Sequence, residues 1–397
     1  MSRRKFLSRT GVSLGALAAM DPLFRLVAPT YAASTGGTGN LLVLCELEGG
    51  LDGLSFLAPF TNARYISNRP RLKLDATQVM PIAARPEYGI SNLFPYFQQL
   101  YNAGQCAIVQ QAGYPDGNGS HFESQEIFEF GVRNLASSAF ASVPWYERLR
   151  QTYFDQPYGV FDTQRIGDPA RYGYHDVSYR QSGQDVFARL AELKVNDAAN
   201  TAAQGSVLRS FDAIARASAD IRQRTQGFTS SGSARGEFYR AAMLASANLG
   251  TQILKVRYGG FDTHGSQNTA NSTLFPRLNN EFQQFVADMQ AIRMWDRTTV
   301  IFYTEFGRRN YENGSPGTDH GHGGHMILCG PRVNGGLFGQ DVTTSDLSEH
   351  DLPAYVDFRA VFSACIRDWL GFDPNPIFRV NGENFADAIG GSGVLFR

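Results

Sequence analysis

Several protein classes are excluded by what this chain has little of. Four cysteines, Cys45, Cys106, Cys329 and Cys365, are scattered over 397 residues with no C-x-x-C spacing. That argues against a disulfide framework and against thiolate metal ligation. Three of them sit in apolar runs, so core thiols are the expectation. Neither sign of charge dominates: 36 Lys+Arg stand against 37 Asp+Glu, a formal net charge of −1. No basic patch interleaved with aromatics marks a nucleic-acid surface. No internal repeat is visible. The apolar segment Gly11–Met20 is too short and too rich in glycine and serine to be a good membrane span. Around Ser120 the sequence reads Gly119-Ser-His, without the Gly-x-Ser-x-Gly elbow of serine esterases. What remains is 43% hydrophobic and holds 41 glycines, the composition of a globular protein with many tight turns.

The first residues read as an export signal. Ser2-Arg-Arg-Lys-Phe-Leu7 is a twin-arginine motif, the apolar segment follows it, and Thr30-Tyr-Ala32-Ala33 offers small residues for cleavage. Residues 1–33 hold Arg3, Arg4, Lys5, Arg9 and Arg25 against Asp21 alone, so the remainder is more acidic than the whole. The expectation is a signal peptide over 1–33 and a single domain over 34–397. The twin-arginine translocase would export that domain folded, to the periplasm or beyond the cell.

Short apolar runs flanked by Gly or polar residues predict buried strands: Leu41–Cys45, Ala107–Gln111, Ile253–Arg257, Thr299–Tyr303 and Met326–Cys329. Their near-continuous apolar character suits strands covered on both faces. Helical patterns lie between them, at His121–Phe130, Val207–Arg224, Gly236–Leu249, Leu274–Trp295 and Arg359–Leu370. The alternation predicts an α/β fold, a mostly parallel doubly wound sheet with helices on both faces. Residues 136–235, rich in Ser, Ala, Gln and Tyr, carry no nameable motif and read as a helical and loop insertion capping one side.

In a doubly wound sheet the ligand site lies beyond the carboxyl ends of the strands, and the chemistry-bearing residues fall there. The densest stretch is Gly317-Thr-Asp-His-Gly-His-Gly-Gly-His325, which holds three of the seven histidines beside Asp319. Short-spaced imidazoles are common transition-metal ligands. The first strand runs into Gly-Gly-Leu-Asp52-Gly, where the carboxylate faces a ligand or simply makes a turn. The second runs into Asp116-Gly-Asn-Gly-Ser120-His121 and a helix. Ser120 there suits two roles, helix cap and hydroxyl nucleophile beside unpaired N–H groups. After the third strand, Asp262 and His264 alternate on an extended segment, so both side chains can point to one side. After the fourth come Glu305 and Arg308-Arg309. Oxygen and imidazole donors without thiolates suit one or two divalent ions, Zn, Mn, Mg or Ca.

With these residues in hand, the chain resembles the DUF1501 family of secreted bacterial proteins, placed in the alkaline phosphatase/sulfatase-like superfamily. The resemblance covers Leu41 to about Phe378. It rests on Gly-Gly-Leu-Asp52-Gly, Ser120-His-Phe-Glu, Gly-Gly-Phe-Asp262-Thr-His264-Gly-Ser-Gln, Thr-Glu305-Phe-Gly-Arg-Arg, Glu312-Asn-Gly, Gly-Thr-Asp319-His-Gly-His and Asp357-Phe-Arg-Ala-Val. It implies an alkaline phosphatase-like fold with divalent metal at the strand ends and a hydrolase of phosphate or sulfate esters. Asp52, Asp262, His264, Glu305 and His320 or His322 would be the metal ligands. Ser120 would be the nucleophile, and Arg308 or Arg309 would neutralise charge on the ester oxygens. Where the superfamily carries Asp-His after the fourth strand, this chain has Glu305-Phe306, so one expected imidazole is missing. The alternative is a non-catalytic, metal-containing binding or assembly protein on the same fold. No nucleic acid and no stable membrane span are expected.

Overall fold

A computed structural model describes residues 38–133, 135–136, 140, 142–154, 160–163, 221, 223–378 and 394–397. The signal segment, the predicted helix Val207–Arg224 (apart from a few residues at its end) and most of the 136–235 insertion lie outside them.

The main sheet has eight strands: β1 (Leu41–Glu48), β5 (Cys106–Gly113), β6 (Val160–Asp162), β7 (Ile253–Gly259), β8 (Thr298–Tyr303), β9 (Gly324–Cys329), β10 (Gly336–Gly339) and β11 (Val356–Asp357). Their order is β10-β5-β9-β8-β1-β7-β6, with β11 also pairing to β5. The pairs β1/β7, β1/β8, β6/β7, β10/β5 and β11/β5 are parallel. Only β9 runs against its neighbours β5 and β8. The reversal has a functional consequence. A strand that runs backwards starts at the edge where the others finish. The whole connection from Thr304 to Gly323 therefore stays at the carboxyl edge of β1, β5, β7 and β8.

Burial alternates along β1 as its pleat requires. Leu41, Val43, Cys45 and Leu47 enter one core cluster, and Leu42 and Leu44 enter the other. The first cluster is closed by the helices Pro95–Asn102, Glu237–Ser246 and Gln267–Ala291, and the second by His121–Phe130, Trp145–Tyr153 and Phe358–Ala364. The sheet is thus covered on both faces, a mostly parallel α/β arrangement. In the first core the buried Phe282 ring meets Phe302 edge-on at 4.9 Å between centroids and Phe97 at 5.1 Å. Burial of one such side chain stabilises the fold by about 1.5–3 kcal/mol.

The long helix begins at Gln267, seven residues before the sequence pattern starts, and ends at Ala291. Pro276 is inside it. Burial of Gln267, Asn271, Leu274 and Phe275 carries the helix across it. Arg359–Leu370 begins as an α-helix at Phe358–Ala364 and continues as π-helix over Cys365–Leu370. A small antiparallel sheet of β2 (Leu57–Ala58), β3 (Val79–Ile82) and β4 (Arg85–Ser91) was not foreseen. Its strands are short, and two contain proline, which weakens a strand signal. All four cysteines are buried free thiols. Among the described residues, no helix is long and apolar enough to cross a membrane.

Candidate metal centre

The loops at the carboxyl edge are held together where glycine lets backbones touch. A Cβ on Gly49 would lie 2.3 Å from the Asp262 amide nitrogen, and one on Gly317 would lie 2.3 Å from the His264 carbonyl carbon. Any side chain at either place would push the loops apart. Gly49 also sits at φ 112°, a conformation open mainly to glycine. The turn after β1 is thereby seated on the turn after β7, and the histidine loop on His264.

These contacts bring four side chains to one point. Asp262 Oδ1 lies 3.0 Å from His264 Nε2, 3.2 Å from His320 Nε2 and 3.5 Å from His121 Nε2. His264 Nε2 and His320 Nε2 are 2.8 Å apart. Ligand atoms about 2.0–2.1 Å from a tetrahedral zinc are separated by about 3.3 Å, close to the three distances to Asp262 Oδ1, whereas His264 and His320 would have to separate to share an ion. Among the described residues, His121, Asp262 and His320 form a group whose donor atoms all lie within 4.8 Å of one another. The side chains are 22–47% exposed, so the point where they meet is open to a ligand from solvent.

The other nitrogen of each ring is fixed. His121 Nδ1 is 2.7 Å from Glu305 Oε1, His264 Nδ1 is 3.2 Å from Asp319 Oδ1, and His320 Nδ1 is 2.6 Å from the Gly119 carbonyl. An acceptor at each Nδ1 places the proton there and leaves the Nε2 lone pair facing Asp262. Metal-binding histidines have this outer arrangement. The donor set, one carboxylate oxygen and three imidazoles, fits a divalent ion of the zinc or manganese kind.

The charge state of the cluster is set by its neighbours. Burial would raise the Asp262 pKa, but the hydrogen bond and the positive charge of Arg308 outweigh it and hold the group at about 2. Burial lowers the His320 pKa and so favours the neutral ring a metal needs. The hydrogen bond His121 donates to Glu305, opposed by partial burial, raises that of His121, so an ion there has to compete with a proton for this ring. Burial pushes Glu305 up, yet the hydrogen bond from His121 and those from backbone amides leave it low and ionised.

The remaining sequence candidates fall around this centre in different ways. Glu305 is fully buried. It accepts from the Gly49 and Gly50 amides and from His121, so it supports a ring and does not face the cluster's open side. Asp52 is drawn elsewhere. Its carboxylate accepts from Arg69 Nη1 at 2.6 Å, Arg69 Nη2 at 3.1 Å, Ser55 Oγ at 2.5 Å and Gln267 Nε2 at 2.6 Å, all in the interior. The expected metal ligand is half of a buried ion pair. Arg308 is also buried. Its guanidinium donates to the carbonyls of Gly49, Gly50, Phe261 and Thr318 and, at 2.6 Å, to Asp262. An arginine committed in this way orients Asp262; Arg309, the next residue, is 40% exposed and faces the cavity beside the cluster. His322 stands next to the cluster but turns away, with Nδ1 at 3.2 Å from Asp351 and Nε2 at 2.9 Å from the Gly117 carbonyl.

Ser120 caps the helix His121–Phe130, its hydroxyl accepting from the Glu123 amide at 3.5 Å. The residues on either side of it, Gly119 and His121, both touch the cluster. His121 is the residue sequence reasoning missed. The Phe306 ring packs 4.8 Å from His121 and 4.6 Å from His320, an apolar wall for both imidazoles. The signal available was a second histidine at a strand–helix junction, adjacent to the residue already suspected.

Residues 175–386, more than half of the chain, match the family described as Protein of unknown function (DUF1501). The chain belongs to that family. No curated protein matches it. Among solved structures it is similar to the lipoteichoic acid synthase LtaP from Listeria monocytogenes, at 9% identity over 81% of this chain and 73% of that one, with a TM-score of 0.37. A protein in the alkaline phosphatase superfamily from Vibrio parahaemolyticus matches at 10% identity over 84% and 72%, TM-score 0.35. Murine ectonucleotide pyrophosphatase/phosphodiesterase 5 matches at 8% identity over 78% and 92%, TM-score 0.32. At these scores the similarities carry no inference about residues or activity. The case for function rests on the cluster itself.

Proposed function

We propose that this DUF1501 protein is a metal-dependent hydrolase of phosphate or sulfate esters, exported to the periplasm or beyond the cell. The observation that carries the proposal is the convergence of three imidazole Nε2 atoms on Asp262, each ring fixed through Nδ1. A divalent ion held there by His121, His264, His320 and Asp262 would supply Lewis-acid stabilisation of the ester oxygens.

The chain's own residues do the rest. Ser120 Oγ sits at the positive end of the His121–Phe130 helix, between two residues in contact with the cluster. Backbone N–H groups at that helix start favour an anionic ester beside it. Ser120 Oγ would attack phosphorus or sulfur in line, giving its proton to solvent, as the alcohol oxygen departs on the opposite side and takes a proton from solvent; water would then cleave the Ser120 ester and release phosphate or sulfate. Arg308 and Glu305 act at one remove, holding Asp262 and His121 in place.

The test is Ser120→Ala in the metal-loaded protein, with phosphate and sulfate monoesters as substrates. We expect turnover to fall by about three orders of magnitude or more, as for removal of other nucleophiles, and the metal content to stay unchanged. Undiminished turnover would replace Ser120 with water as the nucleophile. Bound metal with no turnover of any ester by the unaltered protein would favour the binding or assembly role.

A further inference from the structure

Beside the cluster is a cavity of about 320 Å³, with His264 and His320 on one side and Arg309, Asp319, His322 and Asp351 around the rest. Its lining contains no aliphatic or phenyl side chain, and Asn118 with three glycines completes the wall. Two neighbouring chain segments set the wall's shape. Arg309 bridges to Asp351 and Arg308 bridges to His320 as isolated antiparallel pairs, which fixes the cation, the two acids and the cluster relative to one another.

The polar groups alternate. The Arg309 guanidinium, 40% exposed, lies 3.6 Å from an Asp319 carboxylate that is 42% exposed. Across the cavity Asp351 is held by His322 at 3.2 Å, and His322 is held in turn by the Gly117 carbonyl. A Cβ on Gly117 would come within 3.2 Å of the His322 ring, so the two pack closely here. The wall thus presents a cation and two carboxylates to the cavity.

We infer that this cavity binds the alcohol portion of the ester, and that this portion is a hydroxyl-rich ring, a sugar or cyclic polyol. A hydroxyl both donates and accepts, so neighbouring hydroxyls match carboxylates and a guanidinium set side by side. An acyl chain or aryl ring would take water from Arg309, Asp319 and Asp351 and return no hydrogen bonds, which opposes binding. The reading rests on the ester-hydrolase proposal for the position of the scissile bond, but the sugar preference can be measured separately.

The experiment compares hexose 6-phosphate and 6-sulfate with hexyl phosphate and hexyl sulfate on the metal-loaded, full-length protein. The hexose esters should have at least tenfold higher kcat/KM. Asp351→Asn and Arg309→Ala should each lower the hexose-to-hexyl ratio by about tenfold, chiefly through KM. Equal or better turnover of hexyl esters, or a ratio unmoved in both variants while their melting temperatures hold, would overturn the inference. If no ester is turned over, the hydrolase reading fails and binding decides the matter. Free hexose should then bind by saturation-transfer NMR and weaken in both variants; hexanol binding as well as hexose would sink the inference.

Discussion

Replacing Asp52 separates a structural carboxylate from a metal ligand. The Asp52 side chain is 3% exposed and that of its partner Arg69 is 0% exposed. Besides Asp52, Arg69 donates to the carbonyls of Asn310 and Arg309, so it ties the turn after β1 to the segment that carries Arg308 and Arg309. Asp52→Asn keeps the shape but leaves a buried guanidinium without its counter-charge. Breaking one side of a buried pair costs about 3–5 kcal/mol. The pH dependence has a definite sign. Burial raises the Asp52 pKa, but Arg69 and the hydrogen bonds from Arg69, Ser55 and Gln267 outweigh it and leave the folded value below normal. A depressed folded value stabilises the protein above the unfolded pKa of about 3.9, and the contribution is lost as pH falls through the folded value. Urea denaturation at pH 7 should therefore show Asp52→Asn less stable by about 3–5 kcal/mol, and the gap should shrink as the pH is taken below about 4. Metal content per folded chain should not change. A variant of undiminished stability that had lost its metal would refute this account and return Asp52 to the ligand set.

Glu305→Gln removes the carboxylate that orients His121 and should weaken metal binding by about 10–100-fold in a chelator competition, with the metal site still formed. Arg308→Lys cannot reproduce a fork that reaches four carbonyls and Asp262. It should lower the melting temperature by several degrees and weaken metal binding together, whereas an anion-binding arginine would leave both unchanged. All four cysteines are buried free thiols, so a thiol reagent should count none in the native protein and four after denaturation.

Much of this architecture is written in the sequence, for physical reasons. The strands β1, β5, β7, β8 and β9 are mostly apolar because both faces of the sheet are covered, and such runs stand out without any partner information, although Lys255 and Arg257 on one face of β7 are buried as ion pairs with Glu46 and Glu129. The direction of β9 does not show in its own residues, since an antiparallel central strand is as apolar as a parallel one. Asp262, His264 and His320 were legible because their spacing alone puts them at strand ends. His121 was not: a single histidine at a helix start carries no periodicity, and its role depends on the strand order that brings the loop after β5 beside the turn after β7. The partner of Asp52 was not legible, for the opposite reason. A carboxylate in a glycine turn looks alike whether it faces a metal or Arg69, and only packing decides. Of the two adjacent arginines, extended backbone buries Arg308 and leaves Arg309 in the cavity wall, an alternation that sequence shows without saying which of the two is inside.

The central claim is that His121 completes a metal site with His264, His320 and Asp262. The most direct measurement is the metal content and affinity of the folded, exported protein and of His121→Ala, by elemental analysis and chelator competition. The account predicts bound divalent metal in the unaltered protein and a loss of affinity of at least tenfold in the variant, with the fold intact. Metal-free protein, or metal bound as tightly without His121 as with it, would contradict it.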